Sequence, residues 1–190
     1  PLTLPFAYLP MGENRSAGII IPSFGERTDV GFFLEGMGFY LPIGEYLDLA
    51  LTGSIYTKGS WRAEAASAYR KKYRFNGSFN FQYENRVTGI KGLDDYSKIT
   101  NYSVRWTHAQ DQKANPNLTF NASVNFASSQ FYRQSINNFN IINGDVFTNT
   151  TSSSISVNKI FPNSPFSLSV VASHHQNNNL GTDLPATMTF

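Results

Sequence analysis

Four places along the chain carry residue types that could do chemistry. His174 and His175 are adjacent, Asp94 and Asp95 are adjacent, Gly89–Gly92 reads GIKG, and Arg70–Arg74 reads RKKYR. Histidines with carboxylates are the stock of metal sites and of general acid–base hydrolysis. A lysine between glycines is raw material for a phosphate loop, and a basic run for an anion-binding surface. Each depends on the element that positions it. Neighbours on a strand point to opposite faces, so the two histidines cannot easily share a metal. The two aspartates fall in a long loop, where nothing fixes them against a histidine. GIKG lacks the strand-then-helix context that a phosphate loop needs. RKKYR falls in a turn, which is either solvated or set against anionic lipid headgroups or periplasmic partners. The Asn-X-Ser/Thr triplets are what chance gives in a chain rich in Asn and Ser. We therefore expect no catalytic residue, no metal ligand, no cofactor and no enzyme.

The elements themselves read with period two nearly everywhere from Ser16. Tyr46–Tyr56 sets Leu47, Leu49, Leu51 and Ile55 against Asp48, Thr52 and Ser54. Ser60–Arg70 sets Trp61, Ala63, Ala65 and Tyr69 against Arg62, Glu64 and Arg70. Arg74–Glu84 sets Phe75, Phe79, Phe81 and Tyr83 against Arg74, Asn76, Ser78, Asn80, Gln82 and Glu84. Thr100–His108 sets Tyr102, Val104 and Trp106 against Asn101, Ser103, Arg105 and Thr107. Asn117–Ser128, Phe166–Ser173 and Leu184–Phe190 continue the pattern. Such alternation means strands with one dry and one wet face. No stretch has helical periodicity, and the expected class is all-β, with about ten antiparallel strands over residues 16–190. Residues 1–15 carry Pro1, Pro5 and Pro10, which fit an edge strand or an irregular lead-in.

Composition narrows the class. Charged residues are 15%, well under the roughly 25% of soluble domains, while aromatics reach 15%. The net charge of +2 gives no field that argues for nucleic acid. No apolar run approaches the ~20 residues of a membrane helix. Cysteine is absent, which excludes disulfides and thiolate metal sites without fixing a compartment. Pro1–Pro10 does not read as a signal peptide. Low charge, many aromatics and uncharged polar filler suit an outer-membrane barrel, or a secreted β-sandwich.

Loop lengths separate those two. The turns at Pro42–Glu45, Lys71–Lys72, Ala109–Pro116 and Phe161–Ser164 are short and alternate with longer connections at Asn85–Lys98, Ser129–Phe147 and Gln176–Asp183. Thr57–Gly59 is the exception. Short turns on one rim and long loops on the other are a membrane-barrel layout. Trp61 and Tyr69 lie eight residues apart on one face, roughly 26 Å along a strand. Tilted, that spans about 20 Å, close to the ~25 Å band between aromatic girdles. Trp61, Tyr69, Tyr83 and Trp106 are therefore expected in the girdles. Asp48, Glu64, Arg74, Asn76, Asn80, Glu84 and Arg105 are expected to face a lumen that is solvated or filled by a partner.

The opening stretch is more specific. PFAYLP (5–10), GENR (12–15), SAGIIIPSFG (16–25), FYLPI (39–43) and YLDLALT (46–52) resemble the LptD family, the outer-membrane lipopolysaccharide-assembly proteins of Gram-negative bacteria. The similarity is to the junction of that family's periplasmic jelly roll with its barrel, and Tyr56–Tyr73 looks like Bacteroidota-type members. The resemblance implies a fragment: residues 1–15 end the jelly roll and residues 16–190 begin a larger barrel, still alternating at Phe190. It implies lipopolysaccharide as cargo, an LptE-like plug lipoprotein, periplasmic Lpt bridge proteins and outer-membrane lipids as partners, and no nucleic acid. It also implies a lateral gate weakened by prolines in the first two strands. Pro22 fits the first; Met37, flanked by Gly36 and Gly38, stands near the second. Physics supports Pro22 independently, because proline deletes a ladder hydrogen bond that a membrane strand normally keeps. The alternative is a complete small outer-membrane barrel, porin-like or adhesive.

Overall fold

The computed structural model describes residues 2–4, 7–9, 15–89, 91–129, 131, 135–136, 150–177 and 187–189. Its regular structure is all β. Strands β1 (Leu2–Leu4) and β2 (Ala7–Leu9) pair only with each other. The second sheet has eleven strands: β3 (Gly18–Ile20), β4 (Ser23–Arg27), β5 (Gly31–Ile43), β6 (Leu47–Tyr56), β7 (Trp61–Lys71), β8 (Phe75–Thr88), β9 (Ser97–Gln110), β10 (Leu118–Ala127), β11 (Thr150–Ile160), β12 (Ser167–Asn177) and β13 (Thr187–Thr189). Every pairing is antiparallel, and from β5 onward each strand pairs with the next in sequence. β3 and β4 both pair with β5, so they are two halves of one strand line. With β5 to β13 that makes the ten lines expected from Ser16. Among the described residues the two edges of this sheet do not pair, so the wall stays open.

The register carries the alternation across the wall. Leu51, Ala65, Phe81, Val104 and Phe126 follow one another on one face of β6 to β10. Thr52, Glu64, Gln82 and Ser103 follow one another on the other. A hairpin-joined sheet propagates this choice because a slip of one residue would turn every side chain over. The dry face is exposed along its length, Phe24 to 84% and Phe39 to 57%. A continuous exposed apolar face of this size needs an apolar solvent or partner. No helix among the described residues is long and apolar enough to cross a membrane.

Two strands run further than the alternation predicts. β8 continues to Thr88 and β9 starts at Ser97, so the expected connection Asn85–Lys98 shrinks to residues 89–96. The backbone ladder continues through Asn85, Arg86 and Lys98, whose polarity hides it in the sequence. Buried Ser60 fastens this extension: its hydroxyl accepts from the Val87 amide at 2.9 Å and donates to the Val87 carbonyl at 3.2 Å. At the opposite rim Arg74 lies in the turn 72–74, not on β8. The connections Ser129–Phe147 and Gln176–Asp183 lie mostly outside the described residues.

Close approach of β5 to β6 requires glycine at one of two positions. A Cβ on Gly38 would sit 1.9 Å from the Leu51 carbonyl oxygen of the neighbouring strand. A Cβ on Gly53 would meet only ordinary contacts, at 3.8 and 3.9 Å. Gly38→Ala should therefore force β5 off β6 and lower the folded fraction of the full-length protein, read as the heat-modifiable band on a semi-native gel. Gly53→Ala should leave it unchanged; equal behaviour of the two variants would refute this packing constraint.

Candidate functional site

The first strand line breaks where the sequence places its proline. β3 ends with the pair Ile20↔Gly38 and β4 begins with Ser23↔Glu35. Between them Ile21 and Pro22 stand opposite Met37 and Gly36 without ladder pairing. On its other side β5 is irregular at the same height. Its pairing with β6 jumps from Leu34↔Ile55 to Met37↔Gly53, so Glu35 and Gly36 face Ser54 alone. This is a β-bulge, with Gly36 in the left-handed region at φ 75°. The Gly36 amide donates to the Ser54 hydroxyl at 3.1 Å. The structure thus brings Pro22, Gly36, Met37 and Gly38 to one level of two adjacent strands. Both strands change parity there: Ile19 and Phe24, five residues apart, share the dry face with Phe39 and Leu34.

The wet face holds most of the polar residues read from the sequence. Glu64 accepts from the Asn80 amide at 2.6 Å, and Asp48 pairs with Arg15 at 3.0 Å. Arg105 is opposite Asn80, and Asn76 is opposite Arg70. Glu84 is fully buried. It accepts from Asn101 at 3.0 Å, from the Ser135 hydroxyl at 3.0 Å and from the Ile136 amide at 3.3 Å. Ser135 and Ile136 belong to the long connection after β10, so part of that connection lies against the inner face. Ile136 packs there with Val30 and Tyr56, all three buried, and with Phe33. A buried carboxylate is tolerable only when its oxygens are occupied in this way.

The same corner leads back to the bulge. The Tyr56 hydroxyl donates to Glu35 at 2.8 Å, and the Arg27 guanidinium lies 3.2 Å from that same oxygen. The guanidinium also covers the Phe33 and Tyr56 rings, at 5.2 and 5.7 Å from their centres. Glu35 immediately precedes Gly36, so the inner cluster braces the strand at the break. Nothing in the sequence marks this contact: Ile136 is one of several apolar residues scattered through a connection with no alternation.

Aromatic residues form two belts on the dry face. Trp61 meets Tyr83, with ring centres 5.4 Å apart, and Tyr102 meets Phe126 at 6.0 Å, all toward the long-loop rim. Toward the short-turn rim the Trp106 indole donates to the Tyr69 hydroxyl at 2.9 Å, and that hydroxyl lies 2.9 Å from His108 Nδ1. Phe75 and Phe120 complete this belt against His108. Tyr69 reaches across because its partner is Gly77, where a Cβ would lie 2.3 Å from the hydroxyl oxygen. The four girdle residues therefore divide two and two, and His108 joins them.

The places that could have done chemistry stay apart. His174 is level with Ser153 and His175 with Ser152, on opposite faces, and His175 Nδ1 is 2.9 Å from the Ser152 hydroxyl. Asp94 and Asp95 lie exposed in the loop 89–96. No group of three His, Asp or Glu among the described residues could hold a metal.

The Glu84 cluster is testable by itself. Hydrogen bonds to a charged acceptor contribute about 1.5–3 kcal/mol each. Glu84→Ala should speed hydrogen exchange at the Ile136 amide by roughly 10–100-fold. Glu64→Ala, which touches only the Asn80 bond, should not. Unchanged exchange in Glu84→Ala would show that the connection is held by other contacts.

The family model for LptD protein matches residues 1–190. The LPS-assembly protein LptD of Pasteurella multocida (strain Pm70) is 27% identical over 106 residues, covering 55% of this chain and 13% of the relative. The LPS-assembly proteins LptD of Actinobacillus pleuropneumoniae serotypes 5b (strain L20) and 7 (strain AP76) are each 27% identical over 108 residues, with the same shares. The matched part thus spans about an eighth of these relatives' length. An all-antiparallel wall with an exposed apolar face between aromatic belts fits the outer membrane, and with a family match running the whole length of the sequence, the chain belongs to the LptD family of lipopolysaccharide-assembly proteins.

Proposed function

We propose that this chain forms the opening strands of an outer-membrane translocon that inserts lipopolysaccharide into the outer leaflet. In this reading the dry face meets the lipid and the wet face lines a lumen for the sugar. The lipid leaves sideways at the first strand line. Residues 1–15 end a periplasmic jelly roll. Periplasmic Lpt bridge proteins deliver the cargo, and an LptE-like lipoprotein occupies the lumen. The chain acts as a conduit and catalyses nothing.

The observation that carries this reading is the coincidence of two irregularities. Pro22 interrupts the ladder of the first strand line opposite Gly36, which is itself the bulged residue of the next strand. Ladder bonds within hydrocarbon are normally kept, since an unsatisfied partner costs several kcal/mol. Placing both defects at one level concentrates weakness in one seam. Met37 and Gly38 border the seam, and glycines there take the place of a second proline by loosening the strand rather than deleting its amide.

In the full-length protein, Pro22→Ala should return an N–H to the ladder and slow the appearance of lipopolysaccharide at the cell surface. Photo-crosslinkers at positions 18–24 should trap lipopolysaccharide in cells, and crosslinkers on the same face of β8 should not. No adduct at any position from 18 to 24 would sink the gate. Replacing Asp94, Asp95, His174 and His175 together should leave transport intact; a loss of transport with normal folding would reopen a catalytic reading.

A further inference from the structure

The short-turn rim carries a concentration of cations with no acidic partners. Arg70, Lys71, Lys72 and Arg74 come from the end of β7 and its turn, and Lys113 from the turn between β9 and β10. None of the five has a carboxylate within 4 Å among the described residues, where the ion pairs involve only Arg15 and Arg27. Two acids stand at this rim, Glu45 beside Tyr46 and Asp111, and among the described residues neither forms an ion pair with these cations. Asp111 is committed to the backbone. Its carboxylate accepts the Lys113 amide at 2.9 Å, and its own amide donates to the Arg74 carbonyl at 2.8 Å, which joins the two turns. Arg70, Lys71, Lys72, Tyr73 and Asp111 border a concavity of about 480 Å³.

Tyrosines hold these cations in place without neutralising them. The Lys72 and Lys113 ammonium groups lie 5.0 and 4.9 Å from the centre of the Tyr73 ring, and that of Lys71 lies 4.8 Å from the centre of Tyr46. Tyr73 is half exposed and left-handed at φ 59°, a conformation uncommon for a bulky residue. Two like charges gathered on one ring repel, and a bound anion would relieve that repulsion. Depth says which anion. Lys71 pairs with Phe75 on the dry face, two residues beyond Tyr69 of the aromatic belt. Such belts mark the level of the headgroups, and lysines just beyond them reach the phosphates.

We propose that this rim is a seat for the phosphate of an anionic phospholipid in the leaflet that the short turns face. It rests on the outer-membrane placement and not on the gate. Lipid is favoured over an acidic protein because the cations are continuous with the lipid-facing belt.

The test uses the full-length protein in nanodiscs of phosphatidylcholine, titrated with phosphatidylglycerol and read by native mass spectrometry. Phosphatidylglycerol should be retained in preference to phosphatidylcholine. A Lys71→Gln, Lys72→Gln, Lys113→Gln variant should bind it about 100-fold more weakly, roughly fivefold per cation. The corresponding triple arginine variant should bind normally. If the triple glutamine variant loses its heat-modifiable band, the single Lys72→Gln and Lys113→Gln variants should each show the roughly fivefold loss. Equal retention of the two lipids would overturn the proposal. So would displacement by millimolar inorganic phosphate, which would mark a site for free phosphate, or displacement by purified lipopolysaccharide, which would mark a cargo contact. Capture of an acidic periplasmic protein by wild type, with no lipid preference, would make the rim a protein interface instead.

Discussion

Within hydrocarbon there is no water to satisfy a backbone amide, so the ladder must do it nearly everywhere. From β5 to β13 that requirement is met by one hairpin after another, each strand held by its sequence neighbours. The break at Ile21–Pro22 is instructive because of how it limits the cost. Proline brings no N–H to be orphaned. The Gly36 amide opposite is satisfied by the Ser54 hydroxyl. Two donors that a simple gap would strand are thereby removed or redirected. The ladder thus loses pairs at this level while both of these donors are accounted for.

The inner face obeys the same rule with charges in place of amides. Glu84 is wholly enclosed, and its oxygens are occupied by Asn101, Ser135 and the Ile136 amide. Glu35 is held by Tyr56 and Arg27. These groups lie toward the long-loop rim, where the connection after β10 enters. Lower on the same face, Glu64 with Asn80 and Asp48 with Arg15 leave more of their surface open. Near one rim the wet face is therefore covered by Ser135 and Ile136 of the connection after β10, and below them it keeps an open polar surface.

Strands were legible because a wall with two different solvents must alternate, and Phe75–Glu84 or Leu118–Phe126 could hardly do otherwise. The spacing of Trp61 and Tyr69, eight residues apart on one face, already separates the two groups of aromatic contacts that the structure shows. The pattern failed where the two-solvent constraint lapses. β8 and β9 run on beyond the apolar band with polar residues on both faces, and only the ladder reveals them. Arg74 alternates correctly but falls in a turn, because the phase of a pattern says nothing about where the hairpin closes. The glycines around Met37 were visible as small residues. Their bulge was not, since it depends on Ser54 of another strand. Ser135 and Ile136 carried no period at all; their place is set by tertiary contacts with Glu84 and Val30.

The two halves of the broken strand line are not equally secured. β4 has five register pairs with β5, and Arg27 at its end reaches Glu35, Phe33 and Tyr56. β3 has three pairs, and two of its residues, Gly18 and Ile20, stand opposite Tyr40 and Gly38. Glycine offers little side-chain packing across a pair, so these pairs rest mostly on the backbone. The line turns over at residues 28–30, on the long-loop side, which puts β3 toward the short turns. Any force that separates the first strand line from β5 therefore meets less resistance at β3 than at β4. Pro22 divides the half braced by the Arg27–Glu35–Tyr56 cluster from the half held by fewer pairs. A proline at either end of the line would not allow that division; its place near the middle, opposite the bulge, does.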